Sequence, residues 1–534
     1  MTYNKDRMTE MIRKFWNHAW GLSIFAGIFL GLSFPPFDLV LLQFPAFLFL
    51  FRLAELCGNW RELMIRSYLS FIIWNLMSTY WLMMATLSGG IAAILANSLL
   101  MVIPLLLIRA LLAARQSGIG TLTLAAGIGC TWVSYEFLHH HWDLSWTWLA
   151  LGNGWSNMTG VIQYISITGF LAISFWVVMT SALLYLTLTA DQQMERKRNL
   201  IYTFFLSLLF PLLSIISHAL YNGSERVTTA NPLEVAVVQP DMNSYLDFGG
   251  MKNVDELLTL LFELSDSVRT PDTKVIVWPE NAIDMAISRD SPLTRRIRDS
   301  VSTWNIDLIT GAGYVEYYKP DEEPAIVRGQ NTGRSYNIFN SAFHFTGSQP
   351  PDIYKKGRLV PVVERLPFAE FLKKMDLFGW INWGTITGYG RGTSANNFRI
   401  DGHATPALVC YDSVFPDWIG KFVRNGATFL TIVTNDGWWG HTSGHIQHFA
   451  YARLRAIEYR RWIVRSANNG ISGIIAPDGS IRVKTGFRTR TVFTFPITPS
   501  DYLTPFARYG NWFNWLMLIG LGFILIDVKV RTKK

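Results

Sequence analysis

Three side chains in the second half of the chain, Glu280, Lys356 and Cys410, have the types needed for acyl transfer. Val275-Ile276-Val277-Trp278-Pro279-Glu280 delivers a carboxylate where an apolar run ends, and Leu408-Val409-Cys410-Tyr411-Asp412 delivers a thiol in the same way. Tyr354-Lys355-Lys356 places an ammonium just ahead of Leu359-Val360-Pro361. A thiol with a pKa of about 8.5 is mostly protonated at neutral pH, so it needs a base before it can attack a carbonyl. Glu280 could be that base if burial raises its pKa, and could later return the proton to the leaving group. Lys356 and a backbone N–H near the nucleophile could hold the oxyanion. Spacing by itself does not single these three out, since any long domain holds a Glu, a Lys and a Cys.

The remaining reactive types are less suggestive. Cys57 and Cys130 sit in or beside apolar runs and read as inert packing residues; three widely spaced cysteines give neither a disulfide framework nor a zinc pattern. No carboxylate or cysteine joins His441, His445 and His448 at regular ligand spacing, so they read as loop or structural residues. Asn435 and Asn469 read as turn caps. Neither a metal nor a cofactor is called for.

From Leu233 onward the sequence alternates short β-branched runs with helix-like stretches. The strands are expected at Leu233–Val238, Lys274–Trp278, Asp307–Thr310, Ala407–Cys410, Thr428–Val433 and Trp462–Val464, and the helices at Val254–Val268 and Ser291–Trp304. This is the pattern of an α/β module, where sites assemble at strand ends.

The first 224 residues differ in kind. Only 16% of the chain is charged, against roughly a quarter in soluble proteins, and the deficit falls mainly there and near the C-terminus. A bilayer core takes about 20 apolar residues per helix. Nearly charge-free stretches occur at Phe15–Phe37, Ser67–Ile108, Gln116–Tyr135, Leu144–Ala190, Leu200–Ser224 and Tyr509–Ile526, with a weaker one at Leu39–Leu56. Ser67–Ile108 is long enough for two helices, with Ser88-Gly89-Gly90 as the expected turn. About eight helices result, the last following the soluble module. The expected division is therefore 1–224 for seven helices, 225–505 for the module, and 506–534 for the last helix and a basic tail.

With the N-terminus (Lys5, Arg7, Arg13, Lys14) inside, the inside loops carry Arg52, Arg61 and Arg66, then Arg109 and Arg115, then Arg196, Lys197 and Arg198, and finally Lys529, Arg531, Lys533 and Lys534. The outside connections at Phe34–Asp38, Leu87–Ile91 and Leu138–Gly160 have no Lys or Arg. This asymmetry predicts both termini in the cytoplasm and the module outside. It also accounts for much of the net charge of +8 without a nucleic-acid partner. The His139-His140-His141-Trp142 tract reads as part of an interfacial aromatic belt.

Local sequences add a resemblance. Val277-Trp278-Pro279-Glu280, Tyr354-Lys355-Lys356, Leu359-Val360-Pro361 and Cys410-Tyr411-Asp412 resemble, in order, the motifs of the nitrilase (carbon–nitrogen hydrolase) superfamily. Phe34-Pro35-Pro36-Phe37-Asp38, Asn435-Asp436-Gly437-Trp438-Trp439-Gly440, Gln447-His448, Ala452–Glu458, Arg465–Gly470 and Thr504–Gly510 narrow it to the apolipoprotein N-acyltransferases. The resemblance implies an α-β-β-α sandwich with Glu280 as base, Lys356 as oxyanion stabiliser and Cys410 as nucleophile, Glu364 and Tyr411 being auxiliary. It implies a phospholipid acyl donor, a cysteine thioester, and the N-terminal amine of a diacylglyceryl-cysteine lipoprotein as acceptor, in the bacterial inner membrane. A membrane-anchored amidase or nitrilase-type hydrolase is the alternative.

The sequence departs from the family pattern in three places. Leu359-Val360-Pro361-Val362-Val363-Glu364 replaces a Leu-Val-Pro-Phe-Gly-Glu run, and Tyr411-Asp412 replaces Tyr-Glu. The family tryptophan after the first strand has no counterpart, leaving Tyr245 or Phe248 to line the pocket. The Gly and Trp content of Asp376–Gly392 and Asn435–Gln447 suits a lid that dips into the bilayer.

Overall fold

The computed structural model describes residues 10, 14–222, 231–331, 333–375 and 383–532. The expected boundary at 224/225, the basic residues Lys5, Arg7, Arg13, Lys533 and Lys534, and residues 376–382 of the expected lid lie outside the described residues. The chain divides into two compact units. One is Met1–Trp142 with Trp146–Leu220 and Asn511–Lys534; the other is Asp143–Ser145 with Tyr221–Gly510.

The first unit is helical. Four described helices are long and apolar enough to cross a membrane: Leu87–Ser117, Leu171–Leu188, Gln193–Asn222 and Trp512–Arg531. Ala19–Leu32 and Gln43–Leu56 are apolar but have only 14 residues each, and Trp60–Thr79 carries Arg61, Glu62 and Arg66 in its first turns. Ser88-Gly89-Gly90 is not the turn expected from its composition. Thr86 is extended and its hydroxyl accepts from the Gly89 N–H, so those residues form the first turn of the helix Leu87–Leu100. A hydroxyl cap contributes about 1 kcal/mol and sets the start of the helix. The histidine tract also differs from a simple belt: His139 and His140 are buried, while His141 and Trp142 are exposed. His139 contacts Asn97 Oδ1 at 3.2 Å and accepts from Trp142 at 2.9 Å.

The second unit is a two-sheet sandwich. In the first sheet Leu233–Gln239 lies between the antiparallel Thr491–Ile497 and the parallel Thr273–Val277, followed by Asp307–Tyr317 and the antiparallel Arg334–Phe345. The second sheet runs Ala407–Val409, Leu430–Thr434, Ile463–Ala467, Gly473–Ile475, Ile481–Lys484, with the first three parallel. Leu233–Gln239 is buried along nearly its whole length, as a strand covered on both faces must be. On one face Ala236, Val238, Ile276 and Leu308 pack against Leu257, Leu258 and Leu261 of helix Val254–Val268 and Ile297 and Val301 of helix Pro292–Trp304. On the other, Ser466 Oγ of the second sheet donates to Val238 O at 2.9 Å. Both helices are capped at the start by a residue the sequence supplies: Asn253 accepts from Asp255 and Glu256, and Ser291 precedes Pro292 and accepts from Thr294.

In the membrane unit, Gly27 lets Ala19–Leu32 lie close against the backbone of Trp60–Thr79. A Cβ there would lie 2.4 Å from Ser70 O. Alanine would gain about 1 kcal/mol of helix propensity, but overpacking against backbone costs about 1–3 kcal/mol. Gly27→Ala is therefore expected to lower the unfolding midpoint of the detergent-solubilised protein. Gly522→Ala, whose Cβ meets nothing within 4 Å, is expected to leave it unchanged or raise it.

Candidate active site

Glu280 follows directly on the strand Thr273–Val277, through Trp278 and Pro279. Trp278 N donates to Ile309 O (2.8 Å) and Gly311 N to Pro279 O (3.0 Å), fixing the path of the chain. Gly311 is needed below it, because a Cβ there would lie 2.5 Å from Glu280 Cα. Lys356 follows the short strand Asp352–Lys355, and Cys410 follows Ala407–Val409 in the other sheet. Three strand ends from two sheets thus converge, which is why chain order alone could not show that they meet.

The Glu280 carboxylate is buried. Oε1 accepts from Asn340 Nδ2 (2.8 Å) and Oε2 from the Asn435 N–H (2.8 Å). Lys356 Nζ lies 3.6 Å from Glu280 Oε1 and 2.8 Å from Glu364 Oε1. Asn340 Nδ2 also reaches Glu364 Oε1 (3.0 Å), and the Val360 N–H holds Glu364 Oε2 (2.7 Å). The Val362-Val363 replacement leaves this arrangement intact: Val362 has φ 69°, and both valines point outward, 63% and 58% exposed. The positive φ falls on Val362, one position ahead of the family's glycine, and the carboxylate still arrives.

Cys410 has φ 46°, a left-handed conformation uncommon for a non-glycine residue. It opens a 3-10 turn, Cys410–Val414. Asp412, in that turn, takes four donors: the Val409 N–H (3.1 Å), the Gly357 N–H (3.2 Å), the Arg358 N–H (2.7 Å) and the Tyr354 hydroxyl (2.8 Å). It therefore ties the loop after Lys356 to the turn that carries Cys410, and the aspartate is long enough to do so. Tyr411 points elsewhere: its hydroxyl donates to Ser145 O (3.0 Å) and its ring packs edge-on against Phe415.

Burial pushes the Glu280 carboxyl up, Lys356 pulls it down, and Glu364 pushes it further up. Burial alone would lower the Lys356 ammonium, but Glu364 and Glu280 reverse that and hold it firmly charged. Burial, with Glu280 next, pushes the Cys410 thiol well above its usual value, while Lys356 opposes. Burial also pushes Asp412 up to about 6, with Lys356 opposing. At neutral pH the cluster thus combines a neutral thiol, a permanent cation and a carboxylate raised toward the range of a general base.

Of the residues singled out in the sequence, Glu280, Lys356, Cys410 and Glu364 are brought together, while the Tyr411 side chain turns away. Asn340 carries no motif; its one signal is a polar residue inside a strand whose neighbours are buried. Asn435 acts through its N–H on Glu280, in addition to capping its turn. His448, read as structural, lies beside both Asp436 and Cys410, with ligand-type atoms of all three within 4.8 Å of one another. Tyr245 rather than Phe248 meets the Asn435–Gln447 segment, its hydroxyl donating to Trp438 O at 2.9 Å.

These electrostatics set a pH dependence. Alkylation of Cys410 by iodoacetamide, followed on the Cys410 peptide, is expected to rise with pH through a midpoint above that of an ordinary cysteine. Glu280→Gln removes a charge that opposes the thiolate and should move the midpoint down. Lys356→Met removes one that favours it and should move the midpoint up.

Residues 26–183 match the family described as the apolipoprotein N-acyltransferase N-terminal domain, and residues 234–503 match carbon-nitrogen hydrolase. The apolipoprotein N-acyltransferase of Chlorobaculum tepidum is 29% identical over 531 residues, covering 96% of this chain and 97% of that one. The apolipoprotein N-acyltransferase of Thermotoga maritima is 25% identical over 514 residues, covering 93% and 91%. Among solved structures, Saccharomyces cerevisiae Nit3, a member of branch 10 of the nitrilase superfamily, aligns with a TM-score of 0.38 at 17% identity, over 54% of this chain and 97% of that one. Two family matches in sequence, together spanning most of the chain, and relatives that match end to end lead to one conclusion: the chain belongs to the carbon–nitrogen hydrolases, and among them to the apolipoprotein N-acyltransferases.

Proposed function

We propose that the chain N-acylates lipoproteins through a thioester on Cys410, with Glu280 and Lys356 completing the catalytic set. The observation that carries this reading is the buried Lys356 ammonium, held by Glu364 and facing Glu280, beside a thiol that burial keeps neutral.

Glu280 takes the proton of the Cys410 thiol as Sγ attacks the ester carbonyl carbon of a phospholipid. The C–S bond forms and the carbonyl oxygen takes the electron pair. Lys356 and the Tyr411 N–H stabilise that oxyanion, which a low-dielectric site makes worth several kcal/mol. Collapse breaks the C–O ester bond, and Glu280 returns its proton to the departing lysophospholipid oxygen. In the second half, the α-amine of a diacylglyceryl-cysteine attacks the thioester carbon. Glu280 accepts the amine proton, the C–S bond breaks, and the thiolate recovers a proton as the amide is released. Glu364 positions Lys356 throughout.

Both substrates carry acyl chains, and the four long apolar helices suit an enzyme resident in the membrane. The family points to the inner membrane of a bacterium, and the absence of Lys and Arg from Phe34–Asp38, from residues 80–86 ahead of the helix Leu87–Leu100, and from Leu138–Gly160 supports cytoplasmic termini and a catalytic unit outside.

Intact-mass spectrometry after incubation with phospholipid tests the proposal. The wild type is expected to gain one fatty-acyl increment and lose it on addition of a diacylated lipopeptide. Cys410→Ala should gain none, and Glu280→Gln and Lys356→Met should gain it at least about 100-fold more slowly. An increment shed equally fast without the lipopeptide would instead mark a hydrolase.

A further inference from the structure

Behind Cys410 lies a chain of four buried polar residues that acyl transfer, as described so far, does not use. Ser413 Oγ donates to Cys410 O at 2.7 Å and lies 3.0 Å from His448 Nε2. His448 Nδ1 lies 2.9 Å from Asp436 Oδ1 and 3.1 Å from Arg465 Nη2. Arg465 Nη2 also donates to Asp436 Oδ2 at 2.7 Å, and Thr434 Oγ1 donates to Asp436 Oδ1 at 2.7 Å. Ser413 is 2% exposed, His448 1%, and Asp436 and Arg465 0%.

Two familiar readings of this cluster fail on its own geometry. The order Ser413–His448–Asp436 has the distances of a serine-hydrolase triad, but a hydroxyl 2% exposed offers no approach to a substrate carbonyl. Cys410, Asp436 and His448 come close enough to suggest a metal. Both Asp436 oxygens and both His448 nitrogens, however, are already engaged by Thr434, Arg465, Ser413 and each other, so a cation would have to displace the Arg465 guanidinium.

What the chain does reach is the carbonyl of Cys410. Burial, and then Arg465, lower the His448 pKa, so the ring is neutral near pH 7. His448 Nε2 faces Ser413, and Nδ1 sits between Arg465 Nη2 and Asp436 Oδ1, so the ring is held from both sides. Arg465 is held in turn by Asp436 and by Ile471 O, to which Nε donates at 3.0 Å. The peptide unit is planar and trans, so the Cys410 C=O and the Tyr411 N–H point in opposite directions. Fixing the carbonyl against Ser413 fixes the direction of that N–H. This matters because Cys410 has a positive φ, a conformation that persists only where its surroundings enforce it.

We infer that Arg465, Asp436, His448 and Ser413 form a positioning chain that orients the peptide between Cys410 and Tyr411 and thereby aims the Tyr411 N–H at the oxyanion. The inference rests on the proposed role of Cys410 as the acyl-accepting nucleophile. In this role the four act through one peptide plane, while His448 and Asp436 also lie within 4.8 Å of the Cys410 sulfur.

A comparison of two reactions at the same thiol tests it. Acylation by phospholipid passes through an oxyanion, and alkylation by iodoacetamide does not. Ser413→Ala removes one buried oxygen and is expected to slow single-turnover acylation of Cys410 by about 10-fold, and His448→Ala by about 100-fold. The KM for phospholipid should stay unchanged, and the alkylation rate should remain within about 3-fold of wild type. Ser413→Thr, which keeps the hydroxyl, should restore acylation. Acylation and alkylation falling in parallel would mean general disorder at the turn and overturn the inference, as would wild-type acylation in Ser413→Ala and His448→Ala. A wild type that acquires no acyl group on Cys410 would overturn the thioester reading itself, and this inference with it.

Discussion

An ammonium buried as deeply as Lys356 is the constraint on which the catalytic unit is organised. Moving a lone cation out of water costs several kcal/mol even after relaxation, so it is tolerated only with partners in good geometry. Glu364 supplies the short contact and Glu280 the longer one, and both carboxylates are themselves tied to backbone N–H groups and to Asn340. None of these groups can be provided by a single strand. Glu280 and Lys356 come from the first sheet and Cys410 from the second, and Asp412 locks the two segments together with three hydrogen bonds across them. The two-layer core is therefore what makes the charge cluster possible, and the cluster in turn requires the strand ends to stay in register.

Much of this was legible in the sequence, because strand ends have a signature. A short β-branched run broken by Trp-Pro-Glu or followed by Cys-Tyr-Asp reads as a strand delivering a functional group, and the helix Val254–Val268 was visible to the residue from its apolar spacing. The Leu-Val-Pro context singled out Lys356 rather than its neighbour, and the structure gives Lys355 a different partner, Glu316 at 2.8 Å. What the sequence hid were partners related only through space. Asn340 sits mid-strand with no motif around it. His448 lies 38 positions from Cys410 and 12 from Asp436, a spacing that matches no ligand or triad pattern, yet one helix and two strand ends bring the three together. The turn expected at Ser88–Gly90 failed for a local reason: glycine pairs suggest a turn, but a threonine three residues ahead of this one makes a helix start.

The substitutions that distinguish this chain from the family pattern fall where the geometry can absorb them. Val362 and Val363 lie at an exposed turn, and the Glu364 contacts come from the side chain of Lys356 and the Val360 N–H rather than from the two valines. Asp412 is one methylene shorter than glutamate, but its donors include the N–H of Val409 three residues back and two N–H groups of the adjoining loop. The shorter carboxylate is thus fully satisfied by donors already at hand. Tolerance here reflects which atoms make the contacts, and not the similarity of the residues exchanged.

The two carboxylates beside Lys356 divide the work between them. If Glu280 were the sole counter-ion of a buried ammonium, the pair would hold it ionised and lower its affinity for a proton, which makes a poor base for a thiol that burial has pushed upward. Glu364 sits closer to the ammonium, 2.8 Å against 3.6 Å, and its own negative charge raises the Glu280 pKa. In the proposed mechanism, taking the greater share of the cation leaves Glu280 free to accept and return a proton. The cation, for its part, is held charged by Glu364 first and Glu280 second, against the cost of burial. A site built from one acid and one base would have to trade oxyanion stabilisation against proton transfer at every turnover. In the proposed mechanism the second carboxylate lets the two functions be tuned separately, which gives Glu364 a role although it need never touch the substrate.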